Sequence, residues 1–211
     1  MAVIETKLKF LTRLDRYATE KPFFVTTAPK VVFDPAKHTN LEHELKTVHI
    51  QDIRDRLAEF DVERSGFQIL NHIPKLLNIQ TPDDVATYKQ ETQTVLQRLF
   101  WRSVLPVVQD APLAVCDFRT TEPSDLAAVD RIRPDRSGEI FHLHFNEKHK
   151  WYYLNSMTNE EPIIFVTYDS AAGEHARLCP HTAFEPPLGD RNDIPIRHSV
   201  ETRSIVITPM I

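Results

Sequence analysis

Ten histidines in 211 residues make a metal centre the first chemistry to weigh. A mononuclear iron oxygenase needs two imidazoles and one carboxylate on one side of the metal, leaving positions open for co-substrate and oxygen. On a strand, residues i and i+2 point the same way, so a His-x-Asp or His-x-Glu pair delivers two of the three ligands together. None of the ten histidines has Asp or Glu two residues on. His142-x-His144 is the one ligand-like pair at that spacing. Its alternation with Phe141, Leu143 and Phe145 predicts a polar, solvent-facing side opposite an apolar one, and no third ligand is evident from the residues around it.

A second constellation lies near the end of the chain. Pro180-His181-Thr182-Ala183-Phe184 is followed by Arg197-His198-Ser199-Val200-Glu201-Thr202-Arg203. On an extended segment Arg197, Ser199, Glu201 and Arg203 share a face. A guanidinium fork with a hydroxyl two residues away can hold a carboxylate. An isolated Arg-x-Ser is also an ordinary strand face, so its position sixteen residues after His181 is what singles it out.

The elements that must carry these groups are mainly extended. Residues 4–10, 23–26, 31–33, 46–50 and 65–71 read as strands, and residues 51–60 as a short charged helix. The clearest helix starts at Thr81, a good N-cap ahead of Pro82, Asp83 and Asp84. Val85, Tyr88, Val95, Leu96 and Leu99 then fall on one face. Residues 104–108, 113–116, 140–145, 151–154, 163–168 and 199–208 are further extended candidates. Trp101, Trp151, Tyr153 and Phe165 are expected in the core. A strand-rich second half after one long helix predicts a mainly β chain with helices (α+β), of the sandwich or jelly-roll kind. The length fits a single domain over residues 1–211.

Composition removes several alternatives. Four glycines cannot build a G-x-G-x-x-G or Walker loop, which excludes the nucleotide-binding α/β folds. A net charge of −5 without a basic cluster argues against nucleic acid. No apolar run is long enough to span a bilayer. Cys116 and Cys179 lie far apart without metal-type spacing, as expected for a reduced, cytoplasmic protein.

Several segments together resemble the fungal non-haem iron, 2-oxoglutarate-dependent hydroxylase/desaturase family. They are Gln51-Asp52-Ile53-Arg54-Asp55-Arg56 with Ser65-Gly66-Phe67-Gln68, Trp101-Arg102, and Asp110-Ala111-Pro112-Leu113-Ala114-Val115-Cys116-Asp117. His149-Lys150-Trp151-Tyr152-Tyr153, Tyr168-Asp169-Ser170 and the two terminal segments above complete the set. The resemblance implies a double-stranded β-helix, with His181 at the position of the distal iron ligand. It places Arg197 and Ser199 where the 2-oxoglutarate carboxylate is held. It also implies a departure. The stretch with the His-x-Asp strand, which in the family precedes the Trp-Arg motif, has no counterpart, because Leu99-Phe100 runs directly into Trp101-Arg102.

The expectation is therefore a truncated jelly roll without its own cofactor. It would be a degenerate, non-catalytic subunit paired with a longer, iron-competent homologue that holds Fe(II) and 2-oxoglutarate and acts on a hydrophobic small molecule. Leu99, Trp101 and Val104, at the junction, are the expected interface. The alternatives are a metal-independent cyclase or isomerase, and an iron enzyme with unusual ligands such as His142, His144 and His181.

Overall fold

Alternating polar and apolar residues drive most of this chain into strands. The computed structural model describes residues 2–26, 34, 38–73, 81–93, 99–187 and 194–204. Among them are the strands β1 (Val3–Leu11), β2 (Phe23–Val25), β3 (His43–Asp52), β4 (Phe67–Ile69), β5 (Leu99–Ser103) and β6 (Leu113–Cys116). The second half adds β7 (Leu126–Ile132), β8 (Ser137–Leu143), β9 (Trp151–Tyr153), β10 (Ile163–Phe165), β11 (His181–Ala183) and β12 (Ser199–Thr202). An α-helix, α1, covers Pro82–Gln93.

The contacts divide the chain into two compact units. Unit 1 is Met1–Thr6, His49–Thr120 and Lys150–Ile211; unit 2 is Lys7–Val48 and Thr121–His149. Unit 1 holds a four-stranded sheet in the order β12-β5-β10-β4. It also holds β9, β6 and β11 of a five-stranded sheet ordered β1-β3-β9-β6-β11, whose β1 and β3 contribute residues to both units. Phe67, Trp101, Ile163 and Phe165 of the first sheet pack with Val115 and Tyr152 of the second in one buried cluster. Phe60 seals it, 5.1 Å from Phe67 and 4.7 Å from Tyr152 between ring centroids. This is the two-sheet sandwich of a jelly roll, mainly β with few helices. Trp101, Trp151, Tyr153 and Phe165 are all buried, as their apolar strand positions require. Unit 2 is built on a three-stranded sheet, β2-β7-β8, in which β7 and β8 pair antiparallel over their whole length.

Several expectations are corrected. Residues 51–60 form no helix: β3 runs on to Asp52, whose carboxylate accepts the N–H of Arg54 and of Asn155, and only Leu57–Glu59 makes a single 3-10 turn. At α1, Thr81 and Asp84 cap one another reciprocally at 2.8 and 3.1 Å. Of the predicted apolar face, however, Tyr88 is buried, Val85 is 40% exposed and Leu99 opens a strand. Val95 and Leu96 lie outside the described residues, as do 31–33 and 205–208. Residues 104–108 bend instead of extending, with Val107 in an isolated bridge to Thr158.

β5 is a central strand, paired with β12 on one edge and β10 on the other. Trp101 is 5% exposed within the chain's own core, and Val104 is half-buried. Both edges of the Trp101 strand are therefore paired within the chain.

Candidate functional site

β11 and β12 carry the residues singled out in the sequence, and both belong to unit 1. His181 opens β11, opposite Val115 of β6. Its Nδ1 lies 2.9 Å from the carbonyl oxygen of Cys179. A carbonyl only accepts, so Nδ1 carries the proton and Nε2 of the neutral ring keeps its lone pair. That is the tautomer of a metal-ligating histidine held by a backbone oxygen. The ring rests on Phe165 of the opposite sheet at 4.3 Å between centroids. Its pKa lies below the usual imidazole range: desolvation is the main cause, the Cys179 carbonyl and Glu201 oppose it, and Arg203 adds to it. The residue still presents exposed surface.

Arg197 precedes β12 and is half-buried. Its backbone N–H donates to the Asp110 carboxylate at 3.1 Å, and its Nη1 donates to the Ala111 carbonyl. The guanidinium sits 5.9 Å from the centre of a Trp101 ring. The side chain therefore pins the turn at Ala111, whose φ is +42°, to β5. Ser199 and Glu201 lie on the exposed face of β12, and Glu201 pairs with Arg203 at 2.9 Å. Arg197 lies outside the strand, so the shared strand face expected for Arg197, Ser199, Glu201 and Arg203 begins only at Ser199.

His142 and His144 belong to unit 2, and the expected solvent face is overturned. Phe141 is 42% exposed, whereas His144 is buried with Nδ1 2.7 Å from the Leu11 carbonyl. The His142 ring lies 6.1 Å from Phe24 and 5.9 Å from His43. Period-2 alternation says which residues share a face but not which face is covered. Burial lowers the pKa of His43 to about 4, with Lys9 and His142 adding to the effect, and desolvation also lowers that of His142. Both rings are neutral packing groups at pH 7.

The sequence reading missed a buried polar cluster in unit 2. The Asp125 carboxylate takes Arg13 at 3.1 Å, His149 Nε2 at 3.1 Å, Asn146 at 3.1 Å and the Glu122 N–H at 3.0 Å. Desolvation works to raise the Asp125 pKa, but these hydrogen bonds outweigh it and hold the carboxyl below its usual range. The capping spacing of Glu122-Pro123-Ser124-Asp125 was the legible signal. In unit 1 a cavity of about 560 Å³ is lined by Arg54, Leu57, Ile69, Asn71, Ser156 and Glu161, none of them a predicted site residue.

No His-x-Asp or His-x-Glu exists in the chain, and among the described residues no group of three or more His, Cys, Asp or Glu is placed to hold a metal. Also among the described residues, no helix is long and apolar enough to cross a membrane.

A family model described as an oxidoreductase/YMDC permease-like domain matches residues 98–207. The hydroxylase/desaturase efuI of Hormonema carpetanum is 35% identical over 117 residues, 50% of this chain and 38% of that protein. The Fe(II)/2-oxoglutarate-dependent dioxygenase nvfI of Aspergillus novofumigatus is 38% identical over 108 residues, with the same two coverages. The chain thus spans 38% of the length of each of these two curated relatives. A solved variant of the iron and alpha-ketoglutarate-dependent endoperoxidase NvfI superposes with a TM-score of 0.76 at 21% identity, covering 95% of this chain and 97% of that one. With the family model spanning more than half of the sequence, the chain belongs to the family of fungal Fe(II)/2-oxoglutarate-dependent hydroxylases and desaturases of secondary metabolism.

Proposed function

We propose that this chain is a non-catalytic subunit of a heterodimeric oxygenase. Its partner is a longer, iron-competent homologue that holds Fe(II) and 2-oxoglutarate and oxidises a hydrophobic fungal secondary metabolite. The observation that carries the reading is the state of His181. Its Nδ1–H is anchored and its Nε2 is ready for a metal, yet among the described residues no carboxylate–imidazole pair stands beside it to complete a facial set. A single imidazole cannot hold Fe(II) against water when three protein ligands are the working minimum. Arg197 is engaged with Ala111 and Trp101, which gives it a structural reason to be present whether or not it meets an acid. In this reading the chain retains the scaffold of the site and stabilises the partner or shapes its substrate entrance. Trp101, buried in the core, is not part of the contact.

The test is expression of this chain alone, the longer homologue alone, and both together, with hydroxylation measured in the presence of Fe(II) and 2-oxoglutarate. Co-purification with oxidation confined to preparations containing the homologue is expected. Turnover by this chain alone, or no association with the homologue, would sink the reading.

A further inference from the structure

A polar atom taken out of water without a partner costs free energy, so one that opens on a cavity marks a place for a ligand atom. His144 supplies such an atom in unit 2. It directly follows β8, is 8% exposed, and its backbone N–H donates to the Asp125 carbonyl at 2.8 Å. Its Nδ1 lies 2.7 Å from the Leu11 carbonyl oxygen. A carbonyl only accepts, so Nδ1 carries the proton and Nε2 keeps a lone pair. Among the described residues no hydrogen bond reaches Nε2, and the atom is not sealed in the interior. The ring is thus fixed from one side and open on the other.

What it opens on is a cavity of about 410 Å³, which His144 lines together with Tyr17, Lys21, Pro22, Ala127 and Ala128. That volume lies at the small end of ligand cavities. Apart from Nε2, its walls are apolar or already engaged. The Tyr17 hydroxyl donates to the Asn40 carbonyl and accepts the Glu42 N–H, both at 2.9 Å. The Thr19 hydroxyl, also in the lining, donates to the Arg16 carbonyl at 3.2 Å. The Lys21 ammonium is held by Asp130 at 2.5 Å and Glu139 at 2.6 Å. One positive charge between two negative ones offers no net attraction to a carboxylate or phosphate.

From this we infer that the cavity is a binding site for a small uncharged molecule with an apolar body and one hydroxyl, a phenol or alcohol. Its O–H donates to Nε2 of His144, and its body lies against Pro22, the Tyr17 ring and the two alanines. Ala127 and Ala128 end at Cβ, which leaves the room that the body fills. The Leu11 carbonyl sets which nitrogen is the acceptor, so the ligand is oriented before it arrives. Every residue of the site belongs to unit 2, whereas His181 and Arg197 belong to unit 1. The inference does not rest on the heterodimer reading.

Titration of the isotopically labelled chain with p-cresol, read at the imidazole nitrogens by NMR, tests it, with the methyl ether of p-cresol as the control that lacks the donor. Saturable binding with a dissociation constant of about 1 mM is expected for a ligand this small. The Nε2 signal of His144 should move upfield as its lone pair accepts the hydroxyl, and the ether should bind at least about fivefold more weakly. His144→Asn keeps an N–H for the Leu11 carbonyl and removes Nε2. It should abolish the preference for cresol over the ether, with unchanged circular dichroism. No saturable binding up to about 10 mM overturns the inference. So does equal binding of cresol and ether, binding that leaves Nε2 unmoved, or a preference that persists in the folded variant. The comparison of the two ligands uses the wild-type chain, so failure of the variant to fold leaves the question decided.

Discussion

His181 is the residue on which the proposed function turns. Its proton is set by the Cys179 carbonyl, its ring is supported by Phe165, and its pKa is depressed chiefly by desolvation. A neutral, oriented imidazole is a good ligand but only one ligand. The isolated chain, loaded with Fe(II) and 2-oxoglutarate and then desalted, should carry far less than one iron per chain by plasma mass spectrometry, and His181→Ala should not change the value. About one tightly held iron, lost in that variant, would show that a ligand set exists which the donor geometry does not reveal.

At the scale of elements, the turn into β4 depends on Gly66. Its φ is +85°, and a Cβ built there would lie 2.9 Å from the Leu178 carbonyl oxygen and 3.3 Å from the Cys179 Cβ. Both the backbone conformation and the close approach call for glycine. The turn also ties β4 to its neighbours, since the Val166 N–H donates to Gly66 O and the Phe118 N–H donates to Ser65 O. Gly66→Ala should therefore cost about 2–4 kcal/mol in denaturant unfolding, because the strain of a positive φ adds to a clash with backbone. A change below about 0.5 kcal/mol would mean the turn relaxes freely. Because Leu178 and Cys179 lead into β11, the same variant should raise hydrogen exchange in the segment that holds His181.

For the whole molecule, unit 2 should loosen in acid. Unit 2 contains His43, with a pKa near 4, and His142, shifted the same way. A histidine whose folded pKa is below its unfolded value binds fewer protons when folded. Its stabilising effect is complete above about pH 6.5 and is lost as pH falls toward the folded value. Asp125 and its partner His149 are also held below their usual values, so their effects add in the same direction. Hydrogen exchange by mass spectrometry, corrected for intrinsic rates, should show β7 and β8 losing protection between about pH 6.5 and 4.5. No loss in β7 and β8 would contradict the assignment of these histidines as packing groups.

Much of the architecture was legible beforehand, because strands announce themselves by period-2 alternation and caps by local chemistry. β1, β3, β6, β9 and β10 and the Thr81 cap of α1 are local properties of a few consecutive residues. The resemblance of scattered motifs likewise pointed to the family and the jelly roll. Burial and pairing were not legible, because they depend on what arrives from elsewhere in the chain. His142 and His144 share a face, as their spacing requires, but only the packing of His142 beside Phe24 and His43, and of His144 on the Leu11 carbonyl, made that face an inner one. The junction at Trp101 reads in one dimension as a broken edge. In three dimensions β12 and β10 close around β5, because a strand's hydrogen-bonding groups are satisfied by whichever strands lie beside it, not by those beside it in sequence.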